Sequence, residues 1–213
     1  MKYYPIFLDI RGKKCVVVGG GDVAARKVSR LLDCQAMVFV ISPELSPELV
    51  RLKNENAICH IAAVYTGYFL EGASLVIGAT DDEATNERIS SDARKKGIPV
   101  NIVDDPQKCD FILPSIAQRG DLVIAVGTGG KSPALARHLR EELEKQYGWE
   151  YEIFLNILGQ LRAKMKKNAG VGKDWFDALM NAGILDAIRS RDIKKAKEMV
   201  QKITGEEVEI DFS

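Results

Sequence analysis

The sequence predicts an α/β protein: a doubly wound parallel sheet, then a small α+β segment, then a helical domain. Three observations predict it. Short apolar runs alternate with helically periodic stretches from Lys14 to Val103, the pattern of a parallel sheet covered on both faces. A glycine cluster lies directly between the first apolar run and the first helical stretch. After Asp105 and Pro106 the alternation stops, giving way to two strand-like runs and then to amphipathic helices.

In chain order, Lys14 to Val18 is a continuous β-branched run. The stretch after Gly21 places Ala24, Val28, Leu31 and Leu32 on one helical face. Met37 to Ile41 is a second strand; Ser46 can cap the next helix and Pro47 can open it. Ile58 to Ala62 and Leu75 to Ala79 follow as strands. The polar stretch from Asp82 to Lys96 reads as a helix ended by Gly97, and Pro99 to Val103 as a fifth strand. Phe111 to Ile116 and Leu122 to Val126 read as a hairpin joined through Ala117, Gln118, Arg119, Gly120 and Asp121. Ser132 caps and Pro133 opens a helix to about Tyr147, with Leu135, Leu139 and Leu143 stacked. Two further stripes, Phe154, Ile157, Leu158, Leu161, Met165 and Ile193, Ala196, Val200, Ile203, suit core or oligomer contacts, with Gly205 as a stop. The divisions are residues 1–113, 114–147 and 148–213.

Thirty Lys and Arg balance thirty Asp and Glu, so no basic field points to nucleic acid and no acidic excess to a solvating tail. No stretch of about 18 apolar residues argues for a membrane span, and the N-terminus lacks the apolar core of a signal peptide. The reading is a cytoplasmic protein. Cys15, Cys34, Cys59 and Cys109 show no CxxC spacing and fall mostly within elements, which fits reduced, buried thiols. His60 and His138 have no metal-pair spacing, and His60 between apolar neighbours suits a structural role, so no permanent metal is expected.

The glycine cluster reads Val18, Gly19, Gly20, Gly21, Asp22, Val23, Ala24, a G-x-G-x-x-A placed after a strand and at a helix start. Gly19 permits the tight turn, Gly21 lets backbone approach a pyrophosphate, and Ala24 lets the helix lie close to the sheet. This is a Rossmann-type dinucleotide signature. The second strand ends Ile41, Ser42, Pro43, Glu44, without the ribose-binding acid at its tip. No Arg or Lys stands there for a 2′-phosphate, so the balance favours NAD over NADP. Thr80 and Asp81 close the fourth strand, where such sheets hold ligands; Asp81 and Asp82 equally suit helix capping. Gly127 to Ser132 ends in Gly-Lys-Ser, but a P-loop requires glycine where Ala125 stands. What remains is a glycine-rich turn at a helix start, with Lys131 and Arg137 near enough for a carboxylate. Asp104, following Asn101, Ile102 and Val103, is the carboxylate expected to move a proton, with its neighbour Asp105 as the alternative.

Together the glycine run through Arg26 and Lys27, the step Ala79 to Asp82, Asn101 to Asp104, Phe111 to Ile116, and Gly129 to Arg137 resemble one family. It is the precorrin-2 dehydrogenase and sirohydrochlorin ferrochelatase family, the N-terminal module of siroheme synthase. The resemblance covers residues 3 to 145 and continues weakly beyond. The family's fused methyltransferase half has no counterpart, so the chain looks like the stand-alone form. The resemblance implies oxidation of precorrin-2 to sirohydrochlorin with NAD+, followed in bifunctional members by Fe2+ insertion. Asp104 would be the acid/base group for both and a transient guide for Fe2+. Family NAD+ contacts map to Asp22 and Val23 and to Pro43 and Glu44, beside Gly19 and Gly21 of the motif and Ser42, Thr80 and Asp81 at the strand ends, which the residues themselves suggest. Arg119, Lys131 and Arg137, with Thr128 and Gly129, would meet the carboxylates of a tetrapyrrole; Arg119, Lys131 and Arg137 equally suit solvated surface positions. Thr128 takes the place of a serine that some members phosphorylate. A homodimer joined through the hairpin and the following helix is expected, which would also cover the strand edges. Two readings stand beside this one. One is an NAD-sensing regulatory module, which would not need Asp104; the other is a dehydrogenase without chelatase activity.

Overall fold

A computed structural model of the chain describes residues 2–165 and 174–212. It divides into two compact units, Met1–Leu113 and Pro114–Ser213, so the hairpin, its helix and the C-terminal helices share one unit.

The first unit is a five-stranded parallel sheet of β1 (Lys14–Val18), β2 (Met37–Ile41), β3 (Ile58–Ile61), β4 (Leu75–Gly78) and β5 (Val100–Ile102), in the order β3-β2-β1-β4-β5. The order reverses direction between β1 and β4, the switch point at which such sheets bind nucleotides. Side chains of β1 alternate between two cores. Cys15 and Val17 join Ala24, Val28 and Leu31 of α1 (Asp22–Asp33) and Leu49 and Leu52 of α2 (Pro47–Asn54). Val16 and Val18 join Ile89 and Ala93 of α3 (Glu83–Lys95), with Leu70 from the short 3-10 turn Gly67–Leu70. A strand covered on both faces needs a continuous apolar run, which explains the sequence Cys15 to Val18. Each fully buried Val or Leu here contributes roughly 1.5–3 kcal/mol.

Pro47 opens α2 as expected, but the Ser46 hydroxyl at its cap position makes no hydrogen bond and is buried. Its backbone N–H instead donates to the Gly20 carbonyl at 2.7 Å, so the position is held by the glycine loop rather than by capping. The cysteines also depart in part from expectation. All four are free thiols, and Cys15 is buried, its pKa pushed by that burial to about 11. Cys34 and Cys59 are exposed, because Cys34 follows the last turn of α1 and Cys59 points outward from edge strand β3.

The second unit begins with the antiparallel hairpin β6 (Ser115–Arg119) and β7 (Leu122–Val126). Arg119 pairs with Leu122, so the connection is only Gly120 and Asp121, with Gly120 at φ 53 in the first turn position. The expected strand from Phe111 and the five-residue connection are thus both displaced. The cause is that Phe111 belongs to the first unit. Its carbonyl accepts Asn101 Nδ2 at 2.9 Å and its ring packs on the core of α1. The helix α4 (Pro133–Gln146) starts at the Ser132 cap, whose Oγ accepts the Leu135 N–H at 3.2 Å. Only Ala136 of α4 is buried; Leu135 and Leu139 are exposed and Leu143 half-buried, so the expected stripe is not a core stripe within the chain.

The remaining helices, α5 (Glu150–Met165), α6 (Asp174–Asn181), α7 (Ile184–Arg189) and α8 (Ile193–Thr204), enclose a separate core of Phe154, Ile157, Leu161, Leu179, Ile184, Ile188 and Val200. The side chain of Met165 lies outside the described residues. Gly205 ends α8 in the left-handed region, φ 73. Among the described residues no helix is long and apolar enough to cross a membrane.

Candidate functional site

Every expected cofactor position in the first unit lies at the carboxyl edge of the sheet. Gly19 leaves β1 at φ 123, where a side chain is strained, and a Cβ there would stand 2.2 Å from the Ala79 carbonyl oxygen. Gly20 is as constrained: a Cβ would meet the Glu44 carbonyl oxygen at 1.9 Å and Ser42 Oγ at 2.6 Å. The middle letter of the motif, which sequence reasoning treats as free, is therefore fixed by the loop after β2. Gly21 differs from both, since a Cβ there would meet nothing within 4 Å. It is the N-cap of α1, with no side-chain cap on the helix amides.

Open space in front of uncapped helix amides is what a pyrophosphate needs. The residues present fit a dinucleotide, since the first amides of α1, those of Asp22 and Val23, have no side-chain cap and Gly21 before them leaves space. Ser42, Pro43 and Glu44 back this loop, and the Ser42 carbonyl accepts His60 Nε2 at 2.9 Å, which accounts for His60 structurally. Thr80 closes the other side. Its hydroxyl accepts the Asp82 N–H at 2.9 Å and its carbonyl accepts Asn86 Nδ2 at 2.9 Å. Of the two acids, Asp82 is the helix cap, accepting from the Thr85 N–H at 3.1 Å and from the Thr85 hydroxyl. Those bonds hold Asp82 below the usual carboxylate range, and Asp81 is left exposed.

Asp104 and Asp105 separate more sharply. Ile102, Val103, Asp104 and Asp105 form a turn closed by the Asp105 N–H donating to the Ile102 carbonyl at 3.3 Å, with Asp104 in the left-handed region at φ 61. That conformation costs about 1 kcal/mol for an L-residue, least for Asp and Asn, and such strain concentrates at functional positions. Asp105 turns back. Its carboxylate caps the following 3-10 turn through the Gln107 N–H and pairs with Lys108 Nζ at 3.0 Å, bonds that depress its pKa, the Lys108 contact foremost. Within the described residues 2–113 the exposed Asp104 carboxylate has no hydrogen bond and no ion pair; its charge acts on Lys27 of α1. Lys27 is half-buried, and its pKa is lowered chiefly by that burial, with Asp104 opposing.

In the second unit the polar candidates are largely occupied. Arg119 gives one guanidinium nitrogen to the Gln118 carbonyl at 2.7 Å and another to the Glu144 carbonyl at 3.0 Å, tying the hairpin to the end of α4. Arg137 pairs with Glu141 at 2.9 Å. The Thr128 hydroxyl donates to the Ser132 carbonyl at 3.0 Å and accepts its N–H at 3.2 Å, shaping the loop through Gly129 and Gly130 at φ 62 and 81. Of the three candidate cations, Lys131, exposed in that loop, is the one whose side chain has no hydrogen bond or ion pair inside its own unit among the described residues.

The NAD(P)-binding family model matches residues 6–115, more than half of the chain. The chain belongs to this NAD(P)-binding family. A second model, sirohaem biosynthesis protein central, matches residues 119–146. The chain is 39% identical over 207 residues to the siroheme synthase of Methylobacillus flagellatus, covering 95% of this chain and 44% of that protein. It is 45% identical over 170 residues to the siroheme synthase of Nitrosospira multiformis, covering 78% and 36%. The chain thus spans less than half the length of these relatives. Among solved structures it is similar to SirC, precorrin-2 dehydrogenase, with a TM-score of 0.72 and 25% identity over 96% of this chain and all of that one. The resemblance drawn from the five motifs is borne out, and so is the fold class.

Proposed function

We propose that this chain oxidises precorrin-2 to sirohydrochlorin with NAD+, and that Asp104 is the acid/base group. The observation that carries this reading is the contrast at the end of β5: Asp105 is capped and paired, whereas Asp104 projects from a strained turn with its carboxylate uncommitted. A carboxylate spent on an internal ion pair is a poor proton acceptor; an uncommitted one beside a nucleotide cradle suits the task. NAD+, when bound, supplies the hydride acceptor. The head of α1 would hold its pyrophosphate, while the loop Ser42 to Glu44 would face the adenosine ribose through backbone groups and Ser42 Oγ. Thr80 and Asp81, beyond β4, would border the nicotinamide end. Asp104 would take the proton that leaves the macrocycle as the hydride departs.

The same carboxylate serves a second reaction in this proposal, insertion of Fe2+ as substrate, by accepting one of the two pyrrole protons that leave as iron enters, the other passing to solvent. Lys131 is the cation best able to meet a tetrapyrrole carboxylate; Arg119 and Arg137 would have to give up existing partners first. A homodimer completes the picture, because exposed Leu135 and Leu139 on α4 are apolar surface that a second copy would cover. Light scattering at micromolar concentration tests that point, and a monomer would remove it.

The deciding experiment is an anaerobic absorbance time course of precorrin-2 with the protein and NAD+, adding Fe2+ after the first phase. An NAD-dependent sirohydrochlorin spectrum is expected, followed by accelerated siroheme formation. No first phase from folded protein that binds NAD+ would defeat the proposal and favour a sensor. A first phase without a second would restrict the protein to dehydrogenation.

A further inference from the structure

The half-buried thiol of Cys109 sits inside the turn that presents Asp104. Its Sγ accepts the Ile102 N–H at 3.2 Å, and its single proton faces the carbonyls of Asp105 at 3.1 Å and Ile102 at 3.2 Å. Asn101, buried beside it, spans from Sγ at 3.5 Å to the Phe111 carbonyl at 2.9 Å. The thiol therefore touches the residue that enters the turn and the residue that leaves it, with Asp104 between them. Burial raises the Cys109 pKa, so the group stays a thiol and keeps the proton that the carbonyls need.

We infer that Cys109 is a positioning residue for Asp104, a thiol clamp that closes the Ile102–Asp105 turn and holds Asp104 in its left-handed conformation. The inference rests on the acid/base reading of Asp104. It follows from what the turn lacks. The Val103 N–H donates to the Gly78 carbonyl at 2.9 Å and the Asp105 carbonyl accepts the Lys108 N–H at 3.1 Å, which anchor the two flanks, but the one backbone bond that closes the turn across Asp104, from the Asp105 N–H to the Ile102 carbonyl, is long at 3.3 Å and is a weak restraint on a residue at φ 61. The thiol adds a donor and an acceptor on the inner side of the turn, where water is partly excluded. Sulfur hydrogen bonds are weak singly, but here they act on a geometry where a displacement of about 1 Å can cost as much as a hundredfold in rate.

The test compares Cys109→Ala and Cys109→Ser in the full chain, with two readouts. In steady-state turnover of precorrin-2, Cys109→Ala is expected to lower kcat about tenfold while KM and the Kd for NAD+ stay within about twofold. Cys109→Ser, which keeps a donor and an acceptor, should recover most of the loss. In amide hydrogen exchange without substrate, Cys109→Ala should speed exchange at Ile102 and Asp105 about tenfold, with the β1 amides unaffected. An unchanged kcat overturns the inference, as does a loss shared by kcat, KM and NAD+ affinity, which would mark a general packing role. If the wild-type protein turns over no precorrin-2, the functional proposal fails on its own. The exchange readout then still decides the clamp: unchanged protection at Ile102 and Asp105 overturns it, and faster exchange upholds it. If Cys109→Ala does not fold, Cys109→Val, which fills the space without a donor or acceptor, takes its place: a kcat about tenfold lower and faster exchange at Ile102 and Asp105 are expected, and wild-type values overturn the inference.

Discussion

The two units differ in how their candidate site groups are engaged. At the carboxyl edge of the first, the important groups are left open: the α1 amides are uncapped, Gly21 faces empty space and Asp104 has no bond within its unit. In the second, Arg119, Thr128 and Arg137 are all consumed by the chain's own carbonyls, amides and carboxylates. Open groups bind something else; satisfied groups hold the fold. In the proposed reading the first unit would carry the reactive group, and the second would contribute Lys131.

The largest effect that would sharpen this contrast is at Asp104. Asp104→Asn tolerates the same backbone and should lower dehydrogenation by about 10³-fold with NAD+ affinity unchanged, whereas Asp105→Asn should leave kcat within about threefold. Equal losses in steady-state assays would erase the distinction between them. Next is Gly21→Leu, which fills the open space ahead of α1 and should weaken NAD+ binding by about a hundredfold in titration calorimetry without unfolding the unit. Normal affinity would move the cofactor elsewhere.

In the second unit the expected effects are on stability. The Glu150 carboxylate at the start of α5 is buried, which opposes ionisation, yet two bonds from Arg189, at 2.7 and 3.0 Å, and nearby backbone amides outweigh that and lower its pKa. A depressed carboxylate stabilises the fold above its unfolded pKa and ceases to do so as pH falls through the folded value. Thermal melts should therefore lose stability below the ordinary glutamate range, and Glu150→Gln, less stable by about 2 kcal/mol near neutrality, should lack that part of the acid dependence. The smallest effect is at Arg119: Arg119→Met should cost about 1 kcal/mol and leave KM for precorrin-2 within about twofold. A large rise in KM would return Arg119 to the substrate and break the comparison.

The sheet and its cofactor loop were readable from sequence because their signals are local: a β-branched run, a glycine turn, a helix with one apolar face. The hairpin was misplaced because Phe111 looks like strand but is claimed by Asn101, a contact spanning ten residues that periodicity does not register. Gly20 escaped notice for a similar reason, since its constraint comes from Glu44 across the sheet edge. Asp104 was singled out by motif, but the feature that sets it apart from Asp105 is a backbone dihedral and a capping bond, and neither leaves a trace in the composition of the pair. Cys109 carried no signal at all.

The left-handed turn at Asp104 has a consequence for which substitutions a lineage can explore there. Of the residues that sit comfortably at φ 61, glycine has no side chain and asparagine does not ionise, which leaves aspartate as the carboxylate the backbone accepts readily. Glutamate would preserve charge but lengthen the arm and fit the dihedral less well, so the exchange usually regarded as mildest is a demanding one here. Local stereochemistry thus narrows the choice before selection on reactivity begins, and the two filters converge on one amino acid.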